Sequence, residues 1–568
     1  MEHLLEVDMT SLDVQIRTVP KNWETLGGRL LIGRLMNEQV PPRCYPLGEE
    51  NAFIVAAGLL AGTNVSSCGR LSVGGKSPMN GTIKESNAGG IVARTLARLG
   101  YRAIVVHGQA RSGGPYLLVI SRDGAKLEAA PDLSGLRIFE TNELLKQRYG
   151  GKIAVSIVGP VGEMGLPNSL VAHSDGDGRS SRMSGRGGLG AVMAAKGLKA
   201  IVYLAEEGQP VPLTDNALFK TTVKRVVEKI QTTPQTSEVW PQYGTSLMIE
   251  TCNGLGALPT RNFSAGQFEG ADNIGGEHLY ATITGRGGAG QVGHPCMPGC
   301  MIRCSNVYPH PDGSEWVSPL EYETLGLLGP NLCIDDMDFV AEVNYLCNDF
   351  GADTMELGST LGVMMEGGLL AFGDAEAALE LVREVGQDTL MGRLLCSGAE
   401  VAGKALGVYR VPTVKGQTMA AYDPRGIKGL GVTYATSPQG ADHTAGHTVR
   451  ASIDKRQAEG QWEVSLNAQI TMGMYDSIGG CMFFGTAIGP DWELLCDLLN
   501  ARYGWQLAPD DLSEMGKEVL RVERAFNREA GFGPAHDRLP QFMETEPLPP
   551  YNEVFDVSET DLDKLAEI

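Results

Sequence analysis

At 568 residues the chain is too long for a single hydrophobic core, and a prior of roughly 150 residues per domain divides it into three or four. Its 68 acidic against 47 basic residues give a net charge of −21, which argues against nucleic acid and anionic membrane as partners, since neither would meet a basic footprint. Hydrophobic residues at 42% and charged residues at 20% are ordinary globular composition, and no apolar run approaches the roughly 18 residues of a bilayer span, so no membrane insertion is expected.

The opening stretch, "MEHLLEVDMTSLDV", is acidic and lacks the basic-then-apolar pattern of a secretory signal. A cytoplasmic location is expected, and there 11 cysteines serve as thiols or metal ligands rather than disulfides. Glycine, at 74 residues, is about twice its usual share of roughly 7%, which suits backbone that must approach a buried ligand.

Residues 1–205 read as β-rich. "FIVAAGLLAG", "RAIVVHG", "PYLLVIS", "KIAVSIVG" and "KAIVYLA" are short apolar runs at strand-like spacing between Gly, Asn and Asp turns. "GIVARTLARLGYRAIVVHG" predicts a helix stopped by Gly100 and followed by a strand. Two glycine-rich stretches carry cations suited to phosphate. The first, "SSCGRLSVGGKSPMNGTIKESNAGG", holds Arg70, Lys76, Asn87, Gly89 and Gly90. The second, "SGRGGLGAVMAAKGLKAIVYL", spells G-x-G-x-x-G through Gly185, Gly187 and Gly190 around Arg186. A dinucleotide fingerprint needs a strand immediately before it, whereas "HSDGDGRSSRM" is polar and reads as flexible. A glycine loop opening a short helix remains, and two such loops suggest a large phosphorylated cofactor.

The polar stretch 206–218 marks a boundary. Beyond it "ALFKTTVKRVVEKIQ", "DMDFVAEVNYLCNDFG", "DAEAALELVREVGQDTLMGRLLCSGAEVAGKALG" and "LSEMGKEVLRVERAFNREAGF" carry apolar residues at i, i+3, i+4. A β-rich front followed by helical domains is expected.

"HPCMPGCMIRCSN" places Cys296, Cys300 and Cys304 four apart. Such spacing would align on a helix, but Pro298 and Gly299 between the first two favour a loop folded about a metal. Iron–sulfur clusters commonly take three thiolates from a compact run and one from afar, whereas structural zinc more often draws two close pairs. Cys44, Cys68, Cys252, Cys333, Cys347, Cys396, Cys481 and Cys496 are the distant candidates. Cys347 and Cys396 sit at apolar helix positions; Cys481, in "MYDSIGGCMFFG", follows an acidic residue and two glycines and is the choice.

In order along the chain, "GGRLLIGRLM", "ESNAGG", "GRGGLGAVMAAKGLKAI", "GALPTRNF", the cysteine run, "EYETLGLLGPN", "GADTMEL", "YDPRGIKGLGVTYATSPQGADH" and "YDSIGGC" resemble the aldehyde:ferredoxin oxidoreductase family of tungsten or molybdenum bis-pterin enzymes. The resemblance implies an α+β multidomain chain. A β-sandwich-like, β-rich cofactor domain would span 1–206, and two mainly α-helical domains 207–412 and 413–568. It implies one [4Fe–4S] cluster on Cys296, Cys300, Cys304 and Cys481, and Mg2+ bridging the two pterin phosphates between Asn87 and a carbonyl near Gly187. Asp353, Leu357 and Asp476 would carry the pterin loops, with Arg70, Lys76, Gly89, Arg186, Gly188, Asp442 and Gly479 lining the same cofactor. Glu323 and His443 would be the acid–base pair, with Tyr322 and Tyr422 lining the pocket and Cys252 a weaker neighbour of the metal. An aldehyde substrate, and ferredoxin or a polyferredoxin-like subunit as electron acceptor, follow from the same resemblance. The chain departs from the family in three places. The cysteine run is C-x3-C-x3-C rather than C-x2-C-x3-C, "DTMELG" lacks the glycine and final aspartate of its loop, and "NYLCNDFGAD" has no E-x-x-H for a dimer-interface metal, so a homo-oligomer would not form through one.

Overall fold

The computed structural model describes residues 2–568. Twelve strands build the first third of the chain. They are β1 (His3–Asp8), β2 (Asp13–Thr18), β3 (Phe53–Ala57), β4 (Leu71–Lys76), β5 (Ile83–Ala88), β6 (Tyr101–His107), β7 (Tyr116–Ile120), β8 (Ala125–Ala129), β9 (Ala154–Val158), β10 (Val171–Ser174), β11 (Ser180–Ser184) and β12 (Leu198–Tyr203). One six-stranded sheet runs β2–β1–β6–β3–β4–β5 and a second runs β11–β10–β9–β12–β7–β8. Only β1–β6 and β7–β12 pair in parallel.

Strand alternation explains the layering. Phe53 and Val55 of β3 enter a core shared with Leu118, Val158 and Ile201 of the second sheet, to which the helix Val92–Leu99 adds Val92 and Leu96. Ile54 and Ala56, on the opposite face of β3, enter a different core with Leu31 and Leu35 of the helix Gly28–Gln39, Met474 of Gln461–Ile478 and Val519 of Pro509–Ala530. The first sheet is therefore buried on both faces, which accounts for its continuous apolar runs.

Gly100 closes the helix Val92–Leu99 at φ +97°, as its position predicts. The expectation of a flexible segment ahead of Arg186 is corrected: β10 and β11 form an antiparallel hairpin there, with serine at three of the five positions from 180 to 184 and Arg182 and Met183 at the other two. Its strand is polar because its side chains bond inward, and its antiparallel pairing is not the βαβ unit of a dinucleotide fold. The long helical pattern over 374–407 divides into Ala375–Val382, Leu390–Leu395 and Ala399–Leu406, with Gly386 at φ +74° and Gly398 at φ +92° at the breaks. Cys347 and Cys396 are fully buried in the helical core, as expected. Among the described residues no helix is long and apolar enough to cross a membrane.

Backbone-on-backbone contact at two glycines joins the front of the chain to its distal helices. A Cβ on Gly28 would stand 2.0 Å from the Asp476 carbonyl oxygen, and one on Gly58 would stand 2.2 Å from the Gly479 nitrogen. These contacts carry the 476–481 turn onto the first sheet, next to Arg70, whose N–H donates to the Gly479 carbonyl at 3.1 Å.

Candidate active site

The turn between Gln291–His294 and Ser305–Pro309 carries Cys296, Cys300 and Cys304, while Cys481 caps the helix Met482–Ile488. The four thiols are linked electrostatically, Cys296 with Cys300 and Cys304, and Cys481 with Cys300 and Cys304 across as much as 181 positions, and Cys68 joins them through Cys481 and Cys300. A bond from Cys296 and the N–H groups of Arg303 and Ile302 hold Cys300 down at about 6, whereas burial pushes Cys304 and Cys481 up. The Gly90 N–H donates to the Cys296 carbonyl at 2.8 Å, and a Cβ on Gly89 would lie 3.5 Å from the Cys296 sulfur. Three buried thiols and a half-buried fourth, without a disulfide, are a donor set that could hold an iron–sulfur cluster.

Beside them lies a carboxylate–imidazole pair. Glu323 stands in the first turn of Tyr322–Leu328, and its Oε1 lies 3.1 Å from Nε2 of His443, which opens a short turn after Asp442. The other Glu323 oxygen accepts the Ala421 N–H at 2.9 Å, while Tyr322 donates its hydroxyl to the Ala421 carbonyl. Residue 421 is thus gripped on both sides, which aims Tyr422 inward. The Tyr322 and Tyr422 rings lie 4.9 Å apart, and Tyr422 is 5.8 Å from the His443 ring. Burial holds both phenols well above the usual tyrosine range, so they remain protonated donors. Nδ1 of His443 is buried without a hydrogen-bond partner, and so is the Tyr434 hydroxyl. The Asp442 oxygen nearest that Nδ1 is 3.8 Å away, too far to bond. Glu321, half-buried one residue before the helix, is pushed up by burial and lies in electrostatic reach of Cys304 on one side and of Glu323 and His443 on the other. The cysteine thiols and the Glu323–His443 pair are therefore neighbours.

Buried charge ties the surrounding loops together. Lys84 reaches Asp442 at 2.7 Å, its side chain wholly buried. A Cβ on Gly187 (φ +86°) would stand 2.5 Å from the Lys84 stem, so the glycine loop is shaped by the passage of this lysine. Burial opposes ionisation of Asp442, but Lys84, Arg186 and His443 outweigh it and hold the carboxylate well below the usual range. Arg186 donates to the carbonyls of Ala441 (2.7 Å) and Thr418 (2.6 Å) and to Asp353 (3.4 Å), which in turn caps the helix Thr354–Glu366 through the Met355 N–H. Asp476 takes one bond from Arg29 at 3.2 Å, and burial with the neighbouring Glu85 pushes it up to about 8.

Of the residues singled out from the sequence, the structure brings together the four cysteines, Gly89, Arg70, Gly479, Glu323, His443, Tyr322 and Tyr422. Arg186, Asp353 and Asp442 meet one another as struts around that centre. Lys76 does not join them: its ammonium is bonded to the carbonyls of Pro42 and Cys44. Leu357 is a core side chain and Gly188 an αL cap against Pro167. Asn87 and Gly187 bond to different protein partners, the Asn87 amide oxygen to Arg70 and the Gly187 carbonyl to Ser77 at 2.7 Å. Sequence reasoning missed Lys84, Glu321 and His447, whose ring lies 5.1 Å from Tyr422 and which burial holds down to about 3. It also missed Arg182, which bonds His294 at 3.1 Å behind the cysteine turn. The second histidine of "DHTAGH" was the one available signal.

Comparison with known proteins identifies the family. The family model described as the N-terminal domain of aldehyde ferredoxin oxidoreductase matches residues 4–205, and that for its domains 2 and 3 matches residues 221–566. The chain belongs to the aldehyde ferredoxin oxidoreductase family and is an oxidoreductase. It is 31% identical to a tungsten-containing aldehyde ferredoxin oxidoreductase of Pyrococcus furiosus, over 96% of this chain and 91% of that protein. The enzyme of the same description from Thermococcus kodakarensis is 32% identical with the same coverage. An aliphatic sulfonate oxidoreductase WOR-like subunit of Pyrococcus furiosus is 24% identical over 92% of this chain and 85% of its own length. Among solved structures, the active site complex of benzoyl coenzyme A reductase with 1,5-dienoyl-CoA shares the fold, with a TM-score of 0.80, 17% identity and coverage of 99% of this chain and 93% of that one.

Proposed function

We propose that the protein oxidises an aldehyde with water to a carboxylic acid, releasing two electrons and two protons, and that the electrons leave through a [4Fe–4S] cluster to ferredoxin or an iron–sulfur partner subunit. The observation that carries this reading is the 3.1 Å Glu323–His443 pair set beside the four converging thiols, in a chain of this family. The residues fit the cofactors the reading requires. Cys296, Cys300, Cys304 and Cys481 form a thiolate set, and Arg70 bonds the side-chain and backbone oxygens of Asn87 through Nε and Nη2. Nδ1 of His443 and the Tyr434 hydroxyl, buried without protein partners, add polar atoms for a bound group to satisfy. A tungsten (or molybdenum) bis-pterin, when bound, supplies two-electron oxidation, and the cluster supplies single-electron exit.

The protein's own groups do the proton work. Glu323 and His443 share a short contact and can take a proton from attacking water or from the aldehyde hydrate. Tyr422, kept protonated by burial, can donate a hydrogen bond to the carbonyl oxygen, and Tyr322 holds the Ala421 backbone that positions it. His447, held neutral by burial and by His443, offers the substrate an uncharged wall. Lys84 and Arg186 keep the Asp442 turn in place so that His443 faces Glu323.

Anaerobically purified protein should contain tungsten or molybdenum and about four iron atoms per chain, and should reduce a dye only when an aldehyde is added. Iron without either heavy metal would sink the enzymatic reading and leave an electron-transfer component. Thioester-dependent oxidation of reduced dye, with no aldehyde activity, would replace aldehyde oxidation by low-potential reduction.

A further inference from the structure

The segment Ser66–Ser67–Cys68, about 230 positions before the cysteine turn, is bonded onto it by a chain of polar contacts. The Met301 N–H donates to the Ser66 hydroxyl oxygen at 3.0 Å, and the two serine hydroxyls lie 3.2 Å apart. The Ser67 hydroxyl lies 3.6 Å from the Cys300 sulfur, and the Ser67 carbonyl accepts the Cys481 N–H at 2.9 Å. Ser67 therefore touches two of the four thiol-bearing residues, through its side chain and its backbone. It is 1% exposed and sits at φ +61°, a conformation that a residue with a side chain rarely adopts and that the surrounding bonds must hold. Glycine would satisfy that backbone at no steric cost, so the conformation alone does not call for a serine.

We propose that Ser67 is a positioning residue that raises the reduction potential of the cluster on Cys296, Cys300, Cys304 and Cys481 by donating its hydroxyl hydrogen to the Cys300 sulfur. This rests on the proposed cluster. A ligating thiolate can only accept, so the hydroxyl is the donor once Cys300 holds iron. With its oxygen accepting from the backbone N–H of Met301, Ser66 has its hydrogen free for the Ser67 oxygen, which turns the Ser67 hydrogen to the sulfur and strengthens the bond. One-electron reduction adds negative charge to the cluster and its sulfurs and moves no proton at this bond. The hydrogen bond is stronger to the reduced form and favours it.

Ser67→Gly removes the hydroxyl while suiting the backbone. In anaerobically purified full-length protein, iron per chain should equal that of the wild type. In a dithionite titration followed by electron paramagnetic resonance, the ratio of reduced to oxidised cluster at a fixed solution potential should fall roughly tenfold, a midpoint about 59 mV lower for one electron. Ser67→Thr, which keeps the hydroxyl, should stay at the wild-type midpoint. An unchanged midpoint in Ser67→Gly with full iron overturns the proposal, as does an equal shift in both variants or loss of iron in Ser67→Gly, which would make the serine a brace for the turn. Wild-type protein lacking iron would overturn the cluster itself, a different failure seen before any variant is made.

Discussion

Replacing Glu323 by Gln tests the centre of the proposed chemistry because it changes the charge and keeps the shape. The Glu323–His443 contact of 3.1 Å, at an effective dielectric of about 20, corresponds to a gross attraction of about 5 kcal/mol once His443 is protonated. A glutamine carbonyl can still accept the Ala421 N–H, so the backbone grip that aims Tyr422 survives. If the pair handles the proton, kcat should fall by roughly 10²–10⁴, equivalent to about 3–5 kcal/mol of barrier. If Glu323 serves only to hold residue 421, the loss should be that of about one hydrogen bond, ~1 kcal/mol, and should appear as stability rather than rate. Aldehyde-dependent dye reduction across pH, with iron and tungsten measured on the same preparation, separates the two. A variant with full metal and kcat within twofold of wild type would remove Glu323 from the mechanism.

Cys481→Ala should lose most of the iron while Cys396→Ala, whose thiol is packed in the helical core, should keep it; equal iron in both would refute the ligand assignment. Lys84→Met leaves Asp442 buried without its cation and should cost about 3–5 kcal/mol at pH 7, read as a lower denaturant midpoint. Because the native Asp442 value lies below its unfolded value of about 4, that contribution is present above pH ~4 and lost as the pH falls further, so the gap between Lys84→Met and wild type should narrow in acid; a constant gap would deny the pairing. Asp476 behaves in the opposite sense. Its native value of about 8 exceeds the unfolded one, so in metal-free protein stability should fall as pH rises from about 4 to 8, and Asp476→Asn should flatten that slope. An identical slope in both proteins would show that the carboxyl is not held protonated.

Local chemistry made much of this legible. The cysteine turn could be read because Pro298 and Gly299 forbid the helix that the spacing would otherwise permit. The helix stopped at Gly100 and the switch from strand to helix periodicity near residue 206 were likewise written in short windows. Lys76 and Lys84 show where such reading fails. They lie on neighbouring strands of one hairpin, β4 and β5, and both sit in glycine- and polar-rich sequence, yet Lys76 turns to the carbonyls of 42 and 44 while Lys84 crosses Gly187 to Asp442. Which way each points depends on what packs behind the sheet. The serine-rich strand β11 was misread because its polar side chains find partners only in the folded protein, such as His173 and Ser305.

By itself the order of residues determined the class of chemistry: thiols in a proline-interrupted turn, glycine loops with cations, and a carboxylate and an imidazole in unusual local motifs. Tertiary structure decided their company. Ser67 and Cys300 are 233 positions apart, Arg29 and Glu523 are 494, and Lys84 and Asp442 are 358. Contacts that distant are chosen by the packing of buried faces, which leaves no periodic trace in the chain, whereas caps, turns and ligand spacing act between near neighbours and do.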